Sequence, residues 1–304
     1  MADIVLSYDN VAAYEDNGAY FGVTVGRYAN RICQGRCVVD GRTLQLATNN
    51  GANHLHGGPT GFSRQLWHMD HMSDNAITFS LCSPDGHEGY PGELRMAVTY
   101  SITELEHGCS LSIAYEATTN ATTIINLTNH SYFCLPGTSS TTTPSLVDVR
   151  CRINADRYCA IDDGAIPTPD TPHAVTNTVF DLRDVDADGL PKTRFGDRLQ
   201  HTGLSPTGYD HNYCVNSAGD LSVVAATLYD AKSGRRLDMF TTEPGVQLYT
   251  SNYLSPPHQA VCLEAQRWPD TPNRPDFGSA LLLPSDVYRQ QTIYRITWAS
   301  PLCR

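Results

Sequence analysis

Short runs of alternating apolar and polar residues recur along most of this 304-residue chain, and they constrain its fold more than any other feature. Ile77, Phe79 and Leu81 form one run, Leu94, Met96, Val98, Tyr100 and Ile102 a second, and Leu111, Ile113 and Tyr115 a third. Side chains two apart share one face of an extended strand, so each run predicts a half-buried strand. Thr292, Tyr294, Ile296 and Trp298 mark one face of a closing strand. Val223 to Tyr229 and Arg235 to Thr241, flanking Lys232-Ser233-Gly234, read as a hairpin. No long segment keeps a clean helical period, and Gly, Pro, Asn and Asp punctuate the runs. The pattern points to an antiparallel sandwich or barrel, not to βαβ units. With no internal repeat, low-complexity tract or linker, a single domain over 1–304 is expected.

The formal charge of −11 argues against a nucleic-acid backbone or an anionic membrane as the main partner, since either needs a surface rich in Lys and Arg. A neutral or cationic small ligand fits better. The opening MADIVLSYDN has no basic stretch followed by an apolar run, and nowhere do about 18 apolar residues follow one another. Neither a signal peptide nor a membrane span is expected, and the location read from this is cytoplasmic. The ten cysteines are scattered singly from Cys33 to Cys303 without a CxxC, which reads as reduced thiols, mostly in the core. Sequons at Asn120, Asn126 and Asn129 crowd the segment that carries the candidate chemistry, where a glycan would block the site of a secreted protein.

Asp184, Asp186, Asp188 and Gly189 match the opening of a calcium loop, D-x-D-x-D-G, but the closing bidentate carboxylate would fall on Phe195. A solvated acidic loop is the reading adopted.

Polar side chains interrupt the strand pattern in GRYANRI (26–32), NNGANHLHGG (49–58), NLTNHSYF (126–133), YDHNY (209–213), EPGVQLYTSNYL (243–254) and CLEAQ (262–266). Any one of these segments is as well explained by turns and sheet edges. Together and in this order, with SPDGHEGYPGELRMAVTYSI (83–102) and WPDTPNRPDFGSALLLPSDVYRQQTIYRI (268–296), they closely resemble the aldose 1-epimerase, or galactose mutarotase, family. The likeness runs from about Asp3 to Trp298. It implies an all-β fold, a large antiparallel β-sandwich of the galactose mutarotase-like supersandwich kind with few short helices. It also implies a sugar cleft across one sheet, no cofactor and no metal. The family's acid matches His130 and its base Glu264, while its sugar-contacting residues match Asn30, Arg31, His56, Asp210 and Gln247. Family members usually begin with additional strands before the region matching DIVLSYDN, and this chain starts at Met1 without them; the two readings are a misplaced start codon, or absent strands with an unpaired sheet edge or pairing with another chain.

The implied reaction interconverts the α and β anomers of a free hexose such as D-galactose or D-glucose and feeds hexose and galactose metabolism. It needs one base for the C1 hydroxyl proton and one acid for the ring oxygen. Glu264, beside Cys262 and Leu263, is a carboxylate whose basicity partial burial would raise. An imidazole such as His130 can give a proton and take it back near neutral pH. The other five offer the mixed donors and acceptors that sugar hydroxyls need. Without the resemblance, a structural ion pair for Glu264 and a satisfied core histidine for His130 would be preferred. His54 reads as loop support and Trp67 as core packing.

Four rival readings remain at this stage. His54 and His56, joined by His130, suggest a metal hydrolase or isomerase. Asp210 and Glu264 would be the carboxylate pair of a glycosidase. A binding protein without turnover would keep the cleft alone. A sugar-phosphate enzyme would need clustered cations, for which Arg27, Arg31 and Arg36 are near in sequence but on different strand faces. The expectation is an unphosphorylated aldose as partner, no nucleic acid or membrane, and a monomer or weak homodimer.

Overall fold

The longest alternating runs become the spine of the molecule. Leu94–Leu105 pairs antiparallel with Gly108–Thr119, from Leu94 opposite Thr119 to Leu105 opposite Gly108. Tyr288–Trp298 pairs with the other edge of Gly108–Thr119. These three lie within an eight-stranded sheet whose spatial order is Arg150–Ile153, Ala226–Asp230, Arg235–Thr241, Tyr288–Trp298, Gly108–Thr119, Leu94–Leu105, Ala76–Ser83 and His68–Met72. A six-stranded sheet runs Tyr132–Phe133, Val261–Gln266, Gly245–Tyr249, Asp210–Val215, Ala155–Tyr158 and His173–Ala174. The computed structural model describes residues 2–138 and 143–298.

Period-two alternation gives each sheet one apolar face, and the two faces are buried together. Leu94, Met96, Val98, Ile113 and Tyr115 from the larger sheet share one core with Val246, Leu248, Val261 and Leu263 from the smaller. Across that core the Tyr294 hydroxyl donates to the carbonyl of Leu263 at 2.7 Å, which satisfies a polar tip inside an apolar layer. The expected large antiparallel β-sandwich is therefore present. Among the described residues the helices are 3-10 turns of three or four residues.

The predicted strands fall within Ala76–Ser83, Leu94–Leu105, Gly108–Thr119 and Tyr288–Trp298. The predicted hairpin forms too, its first strand beginning at Ala226 instead of Val223. In the acidic loop, Asp186 Oδ1 accepts the backbone N–H groups of Asp188 and Leu190 at 3.0 and 2.9 Å, so this carboxylate closes its own turn. The nine cysteines among the described residues are all free and six of them are buried, while Cys303 lies outside the described residues.

Candidate functional site

The site is built on the outer face of the six-stranded sheet. All six residues of Val261–Gln266 are buried, yet only Val261, Leu263 and Ala265 belong to the core between the sheets. Cys262, Glu264 and Gln266 therefore point the other way. The same alternation turns Val246 and Leu248 inward and Gln247 and Tyr249 outward. Strand register sets Glu264 opposite Gln247 and Gln247 opposite Asn212, and in the next row Cys262 opposite Tyr249 and Tyr249 opposite Asp210. Residues of these rows floor a cleft of about 630 Å³ whose walls come from loops far apart in the chain.

All seven candidate residues, His130, Glu264, Asn30, Arg31, His56, Asp210 and Gln247, line this cleft. His130 is anchored by its backbone, its N–H donating to the Val23 carbonyl and its carbonyl accepting from the Gly22 N–H, both at 3.0 Å. Its ring stacks on Tyr132 with centroids 5.1 Å apart. Nε2 stands 3.7 Å from Glu264 Oε1, and the two side chains are only 6% and 3% exposed. Burial, and then the neighbouring Asp210, hold the Glu264 carboxyl well above the usual carboxylate range, against the opposing pull of Arg31. Burial pulls the His130 imidazole down to about 4. His56 lies well below its ordinary value through burial first and then the nearby His130 and Arg31.

The loop residues are held by one another. Asn30 adopts a left-handed conformation, φ 61°, which Asn tolerates better than most residues. Its carbonyl accepts the His56 N–H at 3.0 Å and its own N–H donates to His56 Nδ1 at 3.1 Å. Asn30 Oδ1 accepts the Arg31 N–H at 2.9 Å, and Arg31 Nε donates to Asn50 Oδ1 at 3.0 Å. On the floor, Gln247 Nε2 donates to Asp210 Oδ1 at 2.7 Å. Two buried oxygens in adjacent positions, Gln247 Oε1 and Glu264 Oε2, have no protein partner. Buried acceptors are seldom left so, and a polyhydroxylated ligand is the kind of molecule that would satisfy both.

His56, His130 and Glu264 bring potential metal-ligand atoms within 4.8 Å of one another. The donor set nevertheless fits an ion poorly. Because His56 Nδ1 accepts a backbone N–H, the proton of the neutral ring stands on Nε2, which makes that nitrogen a donor and not a ligand. His54 is turned away, with Nδ1 2.7 Å from the Ala47 carbonyl and Nε2 2.6 Å from the Tyr90 hydroxyl. The trio His54, His56 and His130 thus does not assemble. Arg27 is buried and donates to the carbonyls of Pro91 and Gly92 at 2.9 and 2.8 Å, so no cluster of arginines forms to meet a phosphate. Trp67 packs against Phe62 outside the cleft.

The cleft also contains Tyr20, Asn50, Tyr132, Asp163, Tyr249 and Tyr253, none of which the sequence reading had singled out. Tyr132 and Tyr249 sit inside quoted segments, where alternation with Phe133 and Leu248 marks the outward face. Asp163 arrives on a distant turn that carries no comparable signal; the turn is tied to the cleft wall where Asn53 Nδ2 donates to the Gly164 carbonyl at 3.0 Å.

The family model for aldose 1-epimerase matches residues 1–295. A galactose mutarotase from Bos taurus is 40% identical, the match covering 98% of this chain and 85% of the relative. An aldose 1-epimerase from Escherichia coli (strain K12) is 35% identical over 93% of this chain and 81% of its own length. Among solved structures, an aldose epimerase homologue from C. elegans superposes with a TM-score of 0.84 at 26% identity, covering 98% of this chain and 89% of the other.

Proposed function

Since this chain belongs to the aldose 1-epimerase family, we propose that it interconverts the α and β anomers of a free hexose by acid–base opening and closing of the ring, with Glu264 as base and His130 as acid. The observation that carries the residue assignment is the 3.7 Å approach of His130 Nε2 to Glu264 Oε1 on the floor of the cleft. In a cyclic aldose the C1 hydroxyl and the ring oxygen share one carbon, so two groups this close can serve both oxygens at once. The Glu264 carboxylate takes the C1 hydroxyl proton while the His130 imidazolium protonates the ring oxygen and the C1–O bond of the ring breaks. The open aldehyde then faces a protonated Glu264 and a neutral His130. These are the two uncharged forms that burial favours, so the desolvated site stabilises the open-chain state. Rotation about C1–C2 presents the other carbonyl face. His130 takes back its proton from the C5 hydroxyl as the ring closes, and Glu264 returns its own to the new C1 hydroxyl.

The remaining residues hold the sugar. The Nε2–H of His56 and the Arg31 guanidinium donate to hydroxyl oxygens, while Gln247 Oε1 and Asp210 accept from hydroxyl protons. Asn30 acts chiefly by fixing His56 and Arg31. Among the described residues no arginine cluster lines the cleft, which supports an unphosphorylated hexose such as D-galactose or D-glucose. Asn126 and Asn129 are buried, 0% and 6% exposed, and out of reach of a glycan, which supports a cytoplasmic setting; the protein works there as a monomer or weak homodimer.

The test is the optical rotation of freshly dissolved α-D-galactose and α-D-glucose with the intact protein, His130→Ala, Glu264→Ala and buffer alone. Each variant should lose about 10²–10⁴ of the rate. A folded intact protein that does not outpace buffer on either sugar would overturn the reading.

A further inference from the structure

The strand Val261–Gln266 offers His130 two side chains, not one. Residues 262 and 264 lie on the same outward face, and each meets a different imidazole nitrogen. Glu264 Oε1 is 3.7 Å from Nε2, and Cys262 Sγ is 3.5 Å from Nδ1. The thiol is fully buried and does not line the cleft, so no sugar atom can reach it. Resting on the acid–base reading above, we infer that Cys262 is a positioning residue for His130: its sulfur accepts the Nδ1–H of the ring and so keeps Nε2 as the nitrogen that gives a proton to the sugar and takes it back.

A thiol suits this position because it donates and accepts weakly. Nδ1–H faces the sulfur as acceptor whether or not Nε2 carries its proton, so Nδ1 is satisfied in either state. Burial raises the Cys262 thiol well above its ordinary value, with Glu264 and Asp210 adding to the effect, so it remains a thiol and not a nucleophile. The other titratable groups around His130 are Glu264, His56, Tyr20, Tyr132 and Tyr249, and among the described residues none of these bonds to Nδ1.

The experiment compares the intact protein with Cys262→Ala and Cys262→Ser by polarimetry across pH, and records ¹⁵N imidazole spectra of His130. Loss of a weak buried hydrogen bond should lower kcat of Cys262→Ala about three- to tenfold with KM within about twofold. The acid limb of its pH profile should move to lower pH, because the imidazolium loses an acceptor. Cys262→Ser, which also donates and accepts, should restore kcat and the limb. The spectra of the intact protein should show the Nδ1–H tautomer. An unchanged rate and limb in Cys262→Ala, or an Nε2–H tautomer in the intact protein, overturns the inference while leaving the acid–base pair standing. If Cys262→Ala does not fold, the tautomer and the serine variant decide. Failure of the intact protein to outpace buffer would instead sink the parent reading.

Discussion

Glu264→Gln should abolish catalysis and stabilise the fold at the same time. The side chain keeps its size, so packing beside Cys262 and Leu263 is retained. In the intact protein, Glu264 Oε2 and the neighbouring Gln247 Oε1 are buried without a protein partner, and the carboxyl offers a donor there only while it is protonated. The new amide supplies that donor, and one hydrogen bond then relieves both orphans. Leaving a buried polar group unsatisfied typically costs about 1–3 kcal/mol, so a gain of that order is expected at neutral pH. For a chain of this size it corresponds to about 2–6 °C in Tm. The sign of the pH dependence follows from the raised folded pKa of Glu264. Above its ordinary value of 4.5 the unfolded chain has released the proton that the folded protein keeps, so the intact protein loses stability as pH rises. The advantage of Glu264→Gln should therefore be small near pH 4 and grow toward pH 8. Polarimetry with denaturant unfolding at several pH values tests both halves. A variant less stable than the parent at pH 8, or one within tenfold of its rate, refutes the reasoning.

Four further outcomes follow from the geometry. Glu243 is buried with Oε2 unpartnered, and burial pushes its carboxyl from 4.5 to about 7 although Arg267 opposes the shift; at about 1.4 kcal/mol per pH unit, Glu243→Gln should relieve about 3 kcal/mol that develops between those pH values, and an advantage independent of pH would contradict this. Arg27→Lys cannot reproduce a guanidinium that also reaches Ser83 Oγ at 2.6 Å, so it should destabilise by about 2–3 kcal/mol with KM unchanged; an unaltered denaturation midpoint would show that these bonds contribute nothing. Gln247→Ala should raise KM about tenfold with kcat nearly constant, and a loss confined to kcat would place this side chain in the chemistry and not in binding. Dialysis against a chelator should leave the rate unchanged, because His56 presents a proton to the cleft; a loss reversed by zinc would argue otherwise.

The long strands were readable because one of their faces is dry and the other wet. Val261–Gln266 was harder: all six residues are buried, since loops roof the face opposite the core, and burial on both faces hides the alternation that separates Glu264 from Leu263. The resemblance supplied the residues, but not their tautomers or partners. That His56 donates, and that Asn30 holds it through its backbone, depends on a left-handed turn that no periodicity announces. Asp163 was out of reach for a different reason, since a cleft wall built by a distant turn leaves no local pattern. The apparent metal trio failed on the same kind of detail: His54 and His56 are two apart, and that spacing does not reveal that Tyr90 and Ala47 occupy both nitrogens of His54.

The proposed base and its neighbouring thiol ride on the second strand of the smaller sheet, whereas much of the cleft wall is looped in from residues 20 to 56 and 163 to 165. This division of labour makes the two properties separately evolvable. Drift in the wall can exchange one hydroxyl pattern for another while the proton-transfer apparatus stays untouched. Drift under Glu264 is far less free, because Leu263 and Ala265 are core residues, and a repacking there would tilt the base. Substrate range should therefore diverge readily among descendants of such a chain, and the reaction itself hardly at all.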